Sequence, residues 1–278
     1  MTSAVETTEV TRLQRTTLGP SSSLLAPVDA SAKACLTGDP WWFYSKPFPH
    51  VVATNVFVPA VQKALEAAYE TVGKIEGLGW ARPDFSGFTI TAFGDRHKAM
   101  FPVFLSPEWL QLFARLVGMG VTNDVDGGLH HHTVGSSSGW VHNDNNPGWF
   151  EPRNDGEVNF CDRSRWNYKT GEVLAPGAKP VMRVRAASMI YFLGNGDWKE
   201  GDGGETGLYE HAHQPVLQPS KRIPPIDNSL LLFACSPYSW HAFLSNIRKP
   251  RRTVILFLHQ EAAAFEARWG RNSLVRWN

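Results

Sequence analysis

The sequence has no C-x-x-C pair, no lysine/arginine run, no glycine loop leading into Gly-Lys-Ser/Thr, and no apolar stretch of membrane-spanning length. Each absence closes off a class of function. The three cysteines, Cys35, Cys161 and Cys235, are odd in number and widely spaced, which argues against a disulfide framework or zinc knuckle and for a reducing compartment. A formal net charge of +1 gives no electrostatic case for nucleic acid. Leu230–Cys235 and Val254–Leu258 are strand-length, far short of the roughly 20 apolar residues that cross a bilayer. The opening Met-Thr-Ser-Ala-Val-Glu-Thr-Thr-Glu carries neither a basic nor an apolar leader, so the expectation is cytoplasmic, without nucleic-acid or membrane partners. The glycines of Gly194–Gly207 open no helix and read as a hairpin connection, not a phosphate loop.

What remains is a chain of ordinary globular composition, 42% hydrophobic and 19% charged, with 11 tryptophans in 278 residues. That length suits one large core, and no internal repeat is visible. Residues 1–38 are rich in Thr, Ser, Ala and Pro without a sustained period and are expected to form a flexible tail. A helix is expected over about 58–74, where Val61, Leu65, Tyr69 and Val72 recur at helical spacing behind Pro59. A second follows Ser106-Pro107, with Trp109, Leu112, Phe113 and Leu116 on one stripe, and a last one covers Gln260–Trp269 and stops at Gly270. From 129 onward the texture changes to short β-rich runs: Leu129–Val134, Trp140–Asp144, Met182–Leu193, Gly207–Glu210, Ser229–Cys235 and Arg252–His259. Short strands punctuated by turn residues predict an antiparallel barrel or jelly roll.

Two of those runs carry chemistry. His142 and Asp144 are two residues apart, and in a strand such residues share one face roughly 6.5–7 Å apart. A second histidine, His241, follows the apolar run Leu230–Phe233 between Trp240 and Phe243, so it should be buried and need a polar partner. Two histidines and one carboxylate occupy one face of an octahedron and leave three positions open, the set suited to non-haem Fe(II). Arg251, Thr253 and Ile255 alternate on one face of a strand that is otherwise apolar, and an inward arginine calls for an anion. On residue chemistry alone, a metal site and a structural hydrogen-bond network are evenly matched. His130–His132 face alternately and can offer two ligands at most, while His211 and His213 sit in a Pro-rich loop and read as solvent-facing.

The order of motifs is more telling. Pro47-Phe-Pro-His50, His142-x-Asp144, Met189-Ile-Tyr-Phe-Leu193, Asp197-Trp198, Gly203-Gly-Glu-Thr-Gly-Leu-Tyr209, Ser239-Trp-His241 and Arg251-Arg-Thr253 follow one another. This series resembles the 2-oxoglutarate/Fe(II)-dependent oxygenases of the prolyl-4-hydroxylase-like branch. The resemblance covers Pro47 to His259 in pieces and is densest from 129 onward. It implies a mainly β, double-stranded β-helix (jelly roll, cupin-like) with flanking N-terminal helices and a C-terminal helix, filling residues 39–278. It implies Fe(II) on His142, Asp144 and His241, with 2-oxoglutarate and O₂ as co-substrates. Arg251 would bind the distal carboxylate of 2-oxoglutarate, assisted by Thr253 and by Tyr191, although either Tyr191 or Phe192 can face the pocket. A co-substrate tyrosine is common on the strand before the His-x-Asp motif; here Thr133 or His131 stands in for it. Arg252 is the competing clamp, which alternation turns away. Asp144 occupies the position that related halogenases leave small, so hydroxylation is the implied reaction, with desaturation, epoxidation and ring closure open to the same chemistry.

Residues 145–180 show little apolar periodicity and are expected to be a lid-like insertion that grips the substrate. Trp149, Arg163, Arg165 and Trp166 within it, with Trp140 and Trp240 beside the metal ligands, are the expected substrate contacts. The expected substrate is a small molecule, an amino acid or natural-product intermediate. The alternatives are a protein residue, as in prolyl hydroxylation, or a non-catalytic cupin-like binding module. The sequence sets no oligomeric state.

Overall fold

The computed structural model describes residues 14–18, 25, 30–76, 80–81, 87–153 and 155–275. Chain order begins β1 (Gln14–Thr17), α1 (Ala30–Lys33), β2 (Pro40–Tyr44), β3 (His50–Ala53) and α2 (Pro59–Glu76). It continues with β4 (Trp80–Ala81), β5 (Phe88–Ala92), α3 (Pro107–Leu116) and β6 (Asp124–His132). β7 (Pro147–Phe150) and β8 (Asn159–Phe160) precede the long β9 (Val181–Phe192). Then follow β10 (Thr206–Tyr209), β11 (Lys221–Ile223), β12 (Ser229–Ala234), β13 (Trp240–Phe243), β14 (Arg251–Glu261) and α4 (Ala262–Trp269).

Two sheets result. The larger runs β1-β2-β3-β12-β9-β14-β6-β5-β4, with β7 added to β9 and β8 added to β6; the smaller is β11-β10-β13. Strands β9 and β14 lie at the middle of the large sheet and are buried on both faces, which is why their sequences are almost continuously apolar. Alternation divides their side chains between two cores. Val254, Leu256 and Leu258 of β14, with Met189 and Tyr191 of β9, meet Leu65, Tyr69 and Val72 of α2 and Trp109, Leu112 and Phe113 of α3. Ile255 of β14, with Ile190 and Phe192 of β9 and Phe233 of β12, faces Leu208 of β10 and Ile223 of β11 instead. Helices therefore cover one face of the large sheet and the small sheet covers the other. This is the mainly β, double-stranded β-helix architecture, and the second interior is where the expected ligands point.

The helices form for the reasons the sequence suggests. Pro59 and Pro107 stand at the first helical position, where a missing N–H is harmless, and Ser106 is the extended residue before α3. Among the described residues no helix is long and apolar enough to cross a membrane.

Three segments differ from expectation. The 1–38 tail falls mostly outside the described residues, but Gln14–Thr17 pairs with β2, and Leu18 and Leu25 are fully buried. Single apolar residues pinning a polar strand leave no period to read. The expected Trp140–Asp144 strand is reduced to one bridge, His142 with His241, because the chain turns at once, Asn146 N–H donating to Asp144 O at 2.7 Å. The 145–180 segment is not structureless: β7 pairs with β9 from Pro147↔Val184 to Phe150↔Val181, and β8 pairs in parallel with β6. Its order comes from polar anchors, such as Asn159 Nδ2 on Asp124 Oδ1 at 2.6 Å and Tyr168 Oη with His259 Nε2 at 3.0 Å. Such anchors have no hydrophobic periodicity.

Candidate metal centre

His241 sits on β13, and His142 lies beside it across the single antiparallel bridge, with ring centroids 4.4 Å apart. Asp144 Oδ2 lies 3.3 Å from His241 Nε2, and Asp144 Oδ1 lies 4.0 Å from His142 Nε2. One donor atom from each of the three side chains lies within 4.8 Å of the others, and no other such group of three occurs among the described residues. Both imidazoles are oriented in the same way. His142 Nδ1 lies 2.8 Å from Trp140 O, and His241 Nδ1 lies 2.9 Å from Ser239 O. A carbonyl only accepts, so each Nδ1 carries the proton and each Nε2 presents its lone pair to the centre.

Charge in the cluster is arranged to match. Burial, reinforced by His241, pushes the His142 imidazole down to about 4, so at neutral pH it is an uncharged donor. Burial alone would raise the Asp144 carboxyl, but His241, Arg185 and His142 outweigh it and hold the group ionised well below the usual carboxylate range. Arg185 Nη1 donates to Asp144 Oδ1 at 2.8 Å, and Asp126 Oδ2 lies 3.7 Å from Arg185 Nη2. The Asp144 side chain is 5% exposed and that of His142 38%, so His142 marks the solvent mouth.

Arg251 lies in the same interior, on the face of β14 that also carries Thr253 and Ile255. Its guanidinium donates to Thr206 Oγ1 at 3.1 Å and stands 5.2 Å from the Phe192 ring and 5.1 Å from the Phe243 ring. Among the described residues no carboxylate pairs with it, and burial alone pushes it down to about 9. Its Nε and the Thr253 hydroxyl are both buried without a protein hydrogen-bond partner. A buried guanidinium beside a free hydroxyl fits a carboxylate ligand, since such atoms are costly to leave unmatched. Gly204 keeps this pocket open: its φ is +83°, and a Cβ there would come 2.6 Å from Asn246 Oδ1 and 3.6 Å from the Arg251 side chain.

The neighbours of Arg251 correct two expectations. Tyr191 points to the helix-covered core, where its hydroxyl donates to Asn228 Oδ1 at 3.0 Å, and Phe192 takes the inner face. Thr133 lies past the end of β6, exposed, its hydroxyl donating to Gly87 O at 3.3 Å. His131 pairs in register with Arg252 on the outer face, while His132 pairs with Arg251 and stacks 3.8 Å from the Phe243 ring. The residue of β6 that shares the Arg251 side is thus His132. Arg252 turns outward, as alternation requires, and pairs with Glu70 of α2.

The expected substrate contacts separate. Trp140 is 55% exposed beside His142, 6.0 Å between centroids, and belongs to the mouth. Arg163 Nη2 donates to Asp126 Oδ1 at 2.8 Å, which joins the 145–180 segment to Arg185 and so to Asp144. Arg165 pairs with Glu151 inside the segment, Trp166 Nε1 donates to Trp149 O at 2.8 Å, and the Trp149 ring packs on Gly171. These three hold the segment together and are not brought to the metal. Trp240 shares the outer face of β13 with Ala242, whereas His241 and Phe243 face inward opposite Leu208 and Thr206. His211 and His213 are exposed.

The sequence reading missed Arg185, Asp126, His132, Phe243 and Thr206. Arg185 had a signal, an arginine inside Val184–Phe192, the same argument that found Arg251. The loop after Asp144 also has an unforeseen tie. Val275 N–H donates to Asn145 O at 2.9 Å, Asn146 Nδ2 donates to Val275 O at 3.1 Å, and Asn145 Nδ2 donates to Ser273 O at 3.4 Å.

Residues 141–259 match the model of the family described as the 2OG-Fe(II) oxygenase superfamily. Among solved structures, the chain is similar to a Pseudomonas putida prolyl-4-hydroxylase at 17% identity, over 77% of this chain and 93% of that one, with a TM-score of 0.47. A viral collagen prolyl hydroxylase from Paramecium Bursaria Chlorella virus-1, in its 2OG complex, matches at 15% identity over 76% and 95%, with a TM-score of 0.48. HygX from Streptomyces hygroscopicus, with nickel, 2-oxoglutarate and hygromycin B bound, matches at 14% over 77% and 83%, with a TM-score of 0.42.

Proposed function

We propose that the chain, whose residues 141–259 match the 2OG-Fe(II) oxygenase superfamily, oxidises a C–H bond of a small molecule at the His142, Asp144 and His241 centre. The observation that carries this reading is the convergence of two Nε2 lone pairs and one ionised carboxylate within 4.8 Å. Fe(II) with 2-oxoglutarate, held there, would supply O₂ activation, the oxidation being coupled to release of succinate and CO₂.

The protein's own residues supply placement and dryness. His142 and His241 are locked by their Nδ1 bonds, so the ligand geometry exists before the ion arrives. Arg251 would receive the distal carboxylate of 2-oxoglutarate and Thr253 would donate its hydroxyl to it, while Phe192 and Phe243 stand against the guanidinium and keep water from it. Asp144 supplies the carboxylate whose absence marks the related halogenases, which favours hydroxylation.

An anaerobic titration with Fe(II) and 2-oxoglutarate tests the reading. It should give a weak visible charge-transfer band at one equivalent of each, and succinate should form on admission of O₂. Absence of the band with folded protein would refute the centre. A screen of amino acids and other small zwitterions for stimulated succinate release then tests the substrate class.

A further inference from the structure

We propose that Arg185 is a positioning residue that holds Asp144 by one oxygen, so that the carboxylate presents only its other oxygen to the centre. The inference rests on the oxygenase reading and deepens it. Asp144 Oδ1 accepts from Arg185 Nη1 at 2.8 Å, while Oδ2 is the oxygen nearest His241 Nε2, at 3.3 Å. The two side chains are 6% and 5% exposed, so no solvent competes for that bond.

Arg185 is itself held from three sides. Its guanidinium lies 3.3 Å from the Phe257 ring centroid, and Asp126 Oδ2 stands 3.7 Å from Nη2. Asp126 is fixed in turn by Arg163 at 2.8 Å. A planar guanidinium clamped between an aromatic face and two carboxylates cannot swing aside without losing all three contacts. A carboxylate free of such a clamp can close on a cation with both oxygens, and the second oxygen then occupies a position that a co-substrate needs. Two histidines and a one-oxygen carboxylate would leave three positions on Fe(II), enough for a two-donor co-substrate and O₂ together.

Nitric oxide reports on that third position, because it binds Fe(II) where O₂ does and gives a distinctive half-integer-spin signal in electron paramagnetic resonance. The experiment compares wild type, Arg185→Gln, Arg185→Lys and Asp126→Asn, each titrated anaerobically with Fe(II), then 2-oxoglutarate, then nitric oxide. Arg185→Gln is expected to keep Fe(II) and 2-oxoglutarate affinities within about threefold and to lose tenfold or more in nitric oxide affinity. Arg185→Lys should restore part of it, and Asp126→Asn should lose about threefold, since it loosens the clamp without removing it. If Arg185→Gln does not fold, the other two carry the test, and nitric oxide affinities unchanged in both would overturn the proposal. Wild type that takes up Fe(II) and 2-oxoglutarate, with Arg185→Gln binding nitric oxide within twofold of it, overturns this inference and leaves the oxygenase reading intact. Wild type that takes up neither overturns both.

Discussion

The backbones of His142 and His241 bond each other, His142 N–H to His241 O at 3.0 Å and His241 N–H to His142 O at 2.8 Å. Two side chains 99 positions apart in sequence are thereby fixed on one bridge, and the third ligand follows two residues later. Replacing a ligand side chain leaves those backbone bonds in place. His142→Ala, Asp144→Ala and His241→Ala should therefore fold, as judged by circular dichroism, and lose iron content and succinate formation. A folded His241→Ala protein with near-normal 2-oxoglutarate-dependent turnover would show that iron is held elsewhere.

Arg251 and Arg252 offer an internal control, since they are adjacent and face opposite cores. Truncating Arg251 removes a charge-assisted contact to a buried carboxylate, an effect of about 2–5 kcal/mol, so KM for 2-oxoglutarate should rise by more than tenfold. Arg252→Ala releases a pair with Glu70 and a ring contact with Tyr69, both on α2, and should leave that KM unchanged. Initial rates of succinate formation against 2-oxoglutarate concentration decide the order. A larger effect at Arg252 would reverse the assignment.

The 145–180 segment should divide its duties by residue. Trp166 is buried and holds Trp149, so Trp166→Ala should destabilise the fold by about 3–5 kcal/mol in urea unfolding. Arg163→Ala should leave stability nearly unchanged while oxidised product falls further than succinate, because the tie through Asp126 and Arg185 to Asp144 is loosened and no iron ligand is lost. Measuring succinate and oxidised product in parallel separates the two. Equal loss of both would make the segment purely structural.

Acid should unfold the protein by a route that does not involve the metal. Burial pushes His259 and His50 down to about 4 from an ordinary 6.5. Below 6.5 the unfolded chain takes up protons that the folded chain refuses, so stability is full above that pH and falls as pH drops towards 4. Each histidine should remove about 3 kcal/mol by pH 4. Urea midpoints measured between pH 7.5 and pH 4.5 in the presence of chelator should fall steeply below 6.5, and a flat profile would contradict the assignment.

The sequence was most legible where alternation or helical spacing governs. Arg251, Thr253 and Ile255 were readable as one face of a strand, and α3 as a stripe behind Ser106-Pro107. It was least legible where order comes from polar anchors. β7, β8 and Gln14–Thr17 have no apolar period, and single buried side chains such as Phe150, Val158 and Leu18, with hydrogen bonds to residues elsewhere in the chain, give them shape. Tyr191 illustrates a different failure: strand β9 is buried on both faces, so apolar pattern could not say whether Tyr191 or Phe192 looked towards Arg251. His132 was hidden among three consecutive histidines until its register with Arg251 was known.

The tie between Ser273–Val275 and Asn145–Asn146 spans 128 to 130 positions of chain. The tie joins no two strands, so the sheets can form without it, whereas the loop that carries Asp144 is fixed only when the tie closes. Firm metal binding therefore waits on a contact that the sheets do not need. Stopped-flow refolding should show tryptophan fluorescence recovering before Co(II) uptake does. A chain lacking residues 273–278 should reach the same fluorescence endpoint yet hold the ion more loosely. In such a molecule, the speed of maturation and the tenacity of the metal are set by the same three residues.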